Sequence, residues 1–276
     1  MKTAVLSLAS SLVAEQKTFA IATVVRREAP SSAHLGDTAV VTRDGTLHGF
    51  IGGSCTRATV IEQALAALAA GEPRLISFRD EGRDRADDIV SVPMSCHSGG
   101  SVEIYIDPVF PVPHLLLLGS SPVNEALARL GEAMGLSVRS GDAGGLSDHA
   151  EREPGTKLYV LVATMGESDE EALAAALAAR PDYLGVIASR RRMEEIRARL
   201  AARGVADEEI ATIHGPAGLD IGATRAEEIA LSVLAEIVAD HHRAPQRDPE
   251  PHADAEHEEP ATVTEPGASP HCGCES

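Results

Sequence analysis

The stretch Leu115-Leu116-Leu117-Leu118-Gly119-Ser120-Ser121-Pro122-Val123-Asn124 decides how this chain folds. Four leucines in a row, closed by a Gly/Ser turn, predict a strand buried on both faces, as parallel sheets require. The turn feeds an Ala/Leu-rich helix that runs to about Met134. Outward from there the alternation continues: strands at 137–139 and 158–163, a helix at 170–179, a strand at 183–188, and helices at 191–203 and 226–239. Such alternation predicts a doubly wound, Rossmann-like parallel sheet.

Upstream the pattern differs. Phe19 to Val25 is a β-branched, apolar run. Residues 37–42 and 46–51 flank Arg43-Asp44-Gly45 and read as a hairpin. Ser54 to Ala70 places Val60, Ile61, Ala64, Leu65 and Leu68 at helical spacing, with Gly71 as a stop. Further strands are predicted at 75–78, 89–92 and 102–106. The organisation is therefore α/β: an α+β domain over 1–108, a Pro-rich connection over 109–113, a Rossmann-like domain over 114–240 and a tail over 241–276. The tail is Pro, Glu, Asp and His with few aliphatic residues, a composition that predicts disorder.

The net charge of −18 over 276 residues repels phosphodiester backbones, so nucleic acid is not an expected partner. The last 36 residues add eight acids against two arginines. No apolar run approaches the roughly 20 residues of a membrane span. The first 16 residues are mildly amphipathic through Leu6, Ala9, Leu12 and Val13, and lack the apolar core and cleavage site of a signal peptide. Four cysteines are too few for a disulfide framework and fit a reducing, cytoplasmic setting.

Two loops pair a thiol with a double glycine. In Gly52-Gly53-Ser54-Cys55-Thr56-Arg57 a predicted strand runs into a helix whose first turn holds Cys55. Glycines admit close approach of a ligand to the backbone. A helix N-terminus attracts anions and favours the thiolate, which makes Cys55 a candidate soft-metal ligand or sulfur nucleophile. In Cys96-His97-Ser98-Gly99-Gly100, His97 stands ready to polarise the thiol or bind metal. One Cys-His pair is not a structural zinc site, which takes four ligands. The bland alternative at both places is a small residue in a tight turn.

The third constellation is the turn after the leucines. It keeps the first glycine of a dinucleotide fingerprint, Gly119, but has Ser121 and Asn124 where the second and third would stand. Bulk at Ser121 argues against ordinary NAD(P) or FAD binding. Asp142 lies near the position of a ribose-binding acid. The fourth, Ser189-Arg190-Arg191-Arg192, falls at the end of a predicted strand, where open α/β sheets bind ligands and arginine suits phosphate. A Gly-rich loop, Gly215 to Ala223, is expected to close over the same edge. In the tail, His271-Cys272-Gly273-Cys274 offers Cys272 and Cys274 as soft-metal ligands, with incidental residues of an acidic tail as the alternative.

Taken in order, these stretches resemble the xanthine dehydrogenase accessory factor family, XdhC/CoxI, in its carbon monoxide dehydrogenase accessory-like branch. The resemblance rests on residues 22–27, 29–32, Gly36-Asp37, 52–55 and 93–106 in the first half. In the second it rests on Gly119 to Val123, Ser189-Arg190-Arg191 and Gly218 to Ala223. It covers about residues 18–240 and leaves the tail outside.

What the resemblance implies is a non-catalytic chaperone. It would bind molybdenum cofactor (molybdopterin), support its sulfuration and insert it into a xanthine dehydrogenase-type molybdenum hydroxylase. A cysteine desulfurase and that hydroxylase are the implied partners, with a homodimer among the expected assemblies. Cys55 and Cys96 match the family's two motif cysteines. Gly52, Gly53, Arg57, His97, Gly99, Gly100, Gly119, Ser121, Arg190 and Arg191 complete the expected cofactor site. Two other readings stay open on the residues: an NAD(P)-dependent oxidoreductase, and a metal-delivery protein acting through the His/Cys tail.

Overall fold

The computed structural model describes residues 2–79, 89–93, 100–141, 146, 152–164 and 169–242. The side chains of residues 55, 79, 89, 91–93, 169 and 170 lie outside that description. Residues 2–240 belong to one compact unit.

The first half is a six-stranded sheet in the order β3-β2-β1-β6-β4-β5. Its strands are β1 (Phe19–Glu28), β2 (Thr38–Thr42), β3 (Leu47–Gly49), β4 (Arg74–Arg79), β5 (Ile89–Pro93) and β6 (Ser101–Val109). All neighbours are antiparallel except β4 and β5. Helix α2 (Ser54–Ala70) covers one face, where Val60, Ala64 and Ala67 meet Ala20, Ala22, Val24, Ile76, Ile104 and Ile106. The small β1 residues let the helix lie close. Alternate residues point to the other face. There Phe19 and Val40 pack under α1 (Lys2–Ala14).

The apolar stripe of α1 differs from the sequence expectation. Val5, Leu8, Ala9 and Leu12 turn inward, while Leu6 and Val13 face solvent. The 5, 8, 12 spacing follows the helical period, and the 6, 13 pair lies off that face.

Strand β6, predicted over 102–106, runs on through Pro108, which is paired with Ala20. The pairing with β4 stops at Ile106, so beyond it β6 has a neighbour on one side among the described residues. A residue without an N–H is tolerated there. His114 opens β7 four residues after β6 ends. Several contacts brace this short connection. Lys17 pairs with Glu153 at 3.0 Å, Thr18 Oγ1 donates to the Pro154 carbonyl at 2.6 Å, and the Val112 amide donates to Gln16 Oε1 at 2.9 Å. Phe110 lies against Gly155.

The second half is the expected parallel sheet, in the order β11-β10-β9-β7-β8. Its strands are β7 (His114–Leu118), β8 (Ser137–Gly141), β9 (Leu158–Val162), β10 (Tyr183–Val186) and β11 (Ile213–His214). The four leucines divide between two cores. Leu115 and Leu117 pack with α3 (Pro122–Ala133) and α7 (Ala226–His241) on one face. Leu116 and Leu118 pack with α4 (Asp169–Ala178) and α5 (Arg190–Ala202) on the other. Strand β11 and the five-residue α6 (Asp207–Ala211) go beyond the sequence reading; both are shorter than a periodic pattern can reveal. Helices leave on opposite faces between β7 and β9, which is the topological switch point of the sheet.

Candidate functional site

The Gly52-Gly53 turn follows β3. Gly52 has φ +127° and Gly53 caps α2 through its backbone alone. Cys55 is the second residue of α2, in the turn whose amides have no intrahelical acceptor. Thr56, buried, donates its hydroxyl to the Gly53 carbonyl at 3.0 Å and holds the turn in place. A Cβ at Gly53 would lie 3.7 Å from Ser32 Oγ, and one at Gly52 would lie 3.6 Å from the Ala33 methyl.

Gly100 closes the second Cys–Gly-Gly loop, one residue before Ser101 pairs with Glu28. A Cβ at Gly100 would collide with the Pro30 carbonyl and lie 2.6 Å from that of Glu28. Both glycine turns therefore abut one segment, residues 28–33, from its two ends. Arg27 fastens that segment by donating Nη1 to the Ser31 carbonyl at 3.4 Å and the Ala33 carbonyl at 3.3 Å. Arg57, expected to bind anions, donates Nη2 to the Leu47 carbonyl at 3.2 Å, which ties α2 to β3. Cys96, His97 and Gly99 lie outside the described residues, as do Asp142 and the tail cysteines Cys272 and Cys274.

The second candidate region is the C-terminal edge of the parallel sheet. Gly119 has φ +98°, and a Cβ there would lie 2.6 Å from the Ala163 carbonyl. Ser121 caps α3: its Oγ accepts the Asn124 amide at 3.2 Å. Asn124 Nδ2 donates to the carbonyls of Leu118 at 3.3 Å and Gly119 at 2.8 Å. Ser189 repeats the device at α5, accepting the Arg192 amide at 3.2 Å. Arg190 and Arg191 extend into solvent, where Arg190 meets Asp220 at 3.7 Å and Arg191 meets Glu195 at 3.4 Å. Asp220 of the 215–223 loop thus lies beside the start of α5.

That loop is fastened by a cluster the sequence reading missed. The Ala217 amide donates to the Val186 carbonyl at 2.8 Å, and the Gly218 amide to Glu236 Oε2 at 2.7 Å. Glu236 also accepts the Tyr183 hydroxyl, and its other oxygen is 3.6 Å from His214 Nδ1. The Tyr183 and His214 rings stack with centroids 4.4 Å apart. Burial, then the Glu236 carboxylate, push the Tyr183 phenol well above the ordinary tyrosine range. Residues 183 and 236 are 53 positions apart and carry no shared motif, so no sequence signal joins them.

Among the described residues, no hydrogen bond or ion pair joins the Gly52, Gly53 and Gly100 region to Gly119, Ser121, Arg190 or Arg191. None of those residues forms a cluster of three or more His, Cys, Asp or Glu side chains able to hold a metal. No described helix is long and apolar enough to cross a membrane.

A family model described as the XdhC and CoxI family matches residues 12–79, and one described as the XdhC Rossmann domain matches residues 115–237. The chain belongs to the XdhC/CoxI family. The first matched region spans β1 to β4 with α2, and the second spans the parallel sheet with its helices. Among curated relatives, the uncharacterized protein YqeB of Escherichia coli K12 is 33% identical over 257 residues, covering 86% of this chain. The chain spans 46% of that relative's length. The molybdenum cofactor insertion chaperone PaoD of Escherichia coli K12 is 25% identical over 262 residues, covering 79% of this chain and 82% of PaoD. A crystal structure of a xanthine dehydrogenase from Bacillus halodurans is 16% identical, with a TM-score of 0.40, covering 89% of this chain and 98% of that one.

Proposed function

We propose that this XdhC/CoxI member is a cytoplasmic accessory protein in molybdenum enzyme maturation. It holds molybdenum cofactor as cargo, keeps it protected during sulfuration by a cysteine desulfurase, and inserts it into a xanthine dehydrogenase or carbon monoxide dehydrogenase-type hydroxylase. The observation that carries the reading is the convergence of both glycine turns on residues 28–33. Gly52 and Gly53 lead into α2, where Cys55 stands in sequence, and Gly100 follows the Cys96 motif in sequence, which supports a common role for the two. The 25% identity to a molybdenum cofactor insertion chaperone supports the same reading.

The donor set fits that cargo. Molybdenum cofactor is anionic, phosphorylated and soft at its metal. Thiolates at Cys55 and Cys96 suit the metal. Glycines leave backbone N–H groups open to close approach, and the start of α2 favours negative charge. Arg57 would add charge from the same helix, and Arg190 and Arg191 would meet anionic groups presented at the parallel sheet. On this reading residues 1–108 are the cargo-binding domain and residues 114–240 the second, supporting domain.

The test is to purify the full chain from cells that make the cofactor and oxidise it to release fluorescent pterin. Wild type should carry pterin and activate its hydroxylase, and Cys55→Ala and Cys96→Ala should lose both. Pterin-free wild type, or full pterin and activation in Cys55→Ala, sinks the proposal. A chain lacking residues 243–276 should keep both activities. Their loss would favour metal delivery by the tail.

A further inference from the structure

A doubly wound sheet with a glycine in its first turn commonly seats a dinucleotide. In such sites the pyrophosphate lies against free amides at the start of the first helix, and the second glycine leaves room for it. The turn from β7 to α3 can be compared with that requirement atom by atom.

Two of the first three positions of α3 have no N–H to offer. Pro122 lacks one, and that of Asn124 is taken by Ser121 Oγ. The place of the second glycine is held by Ser121 at 8% exposure and that of the third by Asn124 at 4%. Neither is open to a ligand. Asn124 Nδ2 bridges the carbonyls that end β7, so its amide group is locked between strand and helix. Its Oδ1 is buried without a hydrogen-bond partner among the described residues. That oxygen is an acceptor, with the wrong polarity for phosphate. Gly119 is explained without a ligand, because the Ala163 carbonyl occupies the space a Cβ would need.

We infer that the turn from β7 to α3 seats no nicotinamide or flavin dinucleotide: residues 119–124 form a closed clasp between β7, β9 and α3. The fold has kept its topology while its phosphate cradle has been filled by the protein's own polar groups. An NAD(P)- or flavin-dependent reaction is therefore not supported at this turn.

The test uses the full chain and is independent of the pterin assay. NADH and NADPH are titrated by nicotinamide fluorescence, and FAD and ADP by calorimetry, to about 1 mM, the weak end of specific binding. In parallel, amide exchange is followed at Asn124. The expected result is no saturation with any of the four, and an Asn124 amide protected equally with and without NADH. Saturable binding of any of the four within that range, or added protection of Asn124 on NADH addition, overturns the inference.

Discussion

Tyr183, at the start of β10, donates its hydroxyl to the carboxylate oxygen of Glu236 on α7 that also accepts the Gly218 amide. One carboxylate thus joins a strand, a helix and the 215–223 loop. A hydrogen bond to a charged group contributes about 2 kcal/mol, so Tyr183→Phe should destabilise by about that amount. For a chain of this size that is a fall in Tm of roughly 6 °C. Glu236→Ala should cost more and speed amide exchange at Gly218, where Tyr183→Phe should not. Equal exchange in both variants would show that Glu236 does not hold the loop.

The same pair sets a behaviour at alkaline pH. Tyr183 is pushed up by burial and by Glu236, and Tyr159 by burial, Asp182 and Asp240. The unfolded phenol ionises near pH 10, whereas the folded one resists. A raised folded value means stability fully present below about pH 10 and lost as pH rises beyond it, because the unfolded state then releases protons the folded state keeps. Denaturant midpoints should fall above about pH 10, and less steeply in Tyr183→Phe. With three tyrosines and no tryptophan, ultraviolet titration should also show two phenols ionising later in the folded chain than in the unfolded one. A wild-type slope matched by Tyr183→Phe would remove Tyr183 as its source.

At the turn after β7, Asn124→Ala removes the side-chain donor of the half-buried Gly119 carbonyl, while the Leu118 carbonyl keeps the Ala163 amide at 2.9 Å. One unsatisfied buried group costs about 1–3 kcal/mol, so a loss of about 2 kcal/mol is expected. Ser121→Ala removes a cap, and about 1 kcal/mol is expected. Thermal unfolding should rank them in that order, and the reverse order would mean the clasp depends on the cap.

The two glycine turns should respond unequally to a methyl group. Gly100→Ala drives a Cβ into the Pro30 carbonyl and should destabilise by about 1–3 kcal/mol. Gly53→Ala meets nothing closer than Ser32 Oγ at 3.7 Å and has φ −69°, so folding should be little changed. Matching Tm values for the two variants would contradict the close approach of Gly100 to residues 28–33.

Sequence carried the fold further than the site. The Leu115 to Leu118 run named a doubly buried strand because both faces need aliphatic residues, and the structure divides those leucines between two cores. The strand predicted at 102–106 fell short of Pro108 and Val109 because a proline in a strand depends on where its neighbour stops, which is a tertiary fact. Leu6 and Val13 misled because a short apolar helix fits more than one stripe. Ser121 and Asn124 were legible as departures from a glycine fingerprint, but their hydrogen bonds were not. The convergence of Gly52, Gly53 and Gly100 on residues 28–33 depends on β6 pairing with β1 across 70 intervening positions and more. Local pattern holds no record of that pairing.

The braced connection between the sheets has a geometric consequence. Lys17, Thr18 and Gln16 reach directly to Glu153, Pro154 and Val112 across the four residues that separate β6 from β7. A free tether would let the two halves sample many separations and fit partners of many shapes. A splinted joint narrows that sampling, because these contacts hold the end of α1 and the start of β1 against the segment that precedes β9. A protein that touches both sheets at once would meet them in a restricted range of arrangements.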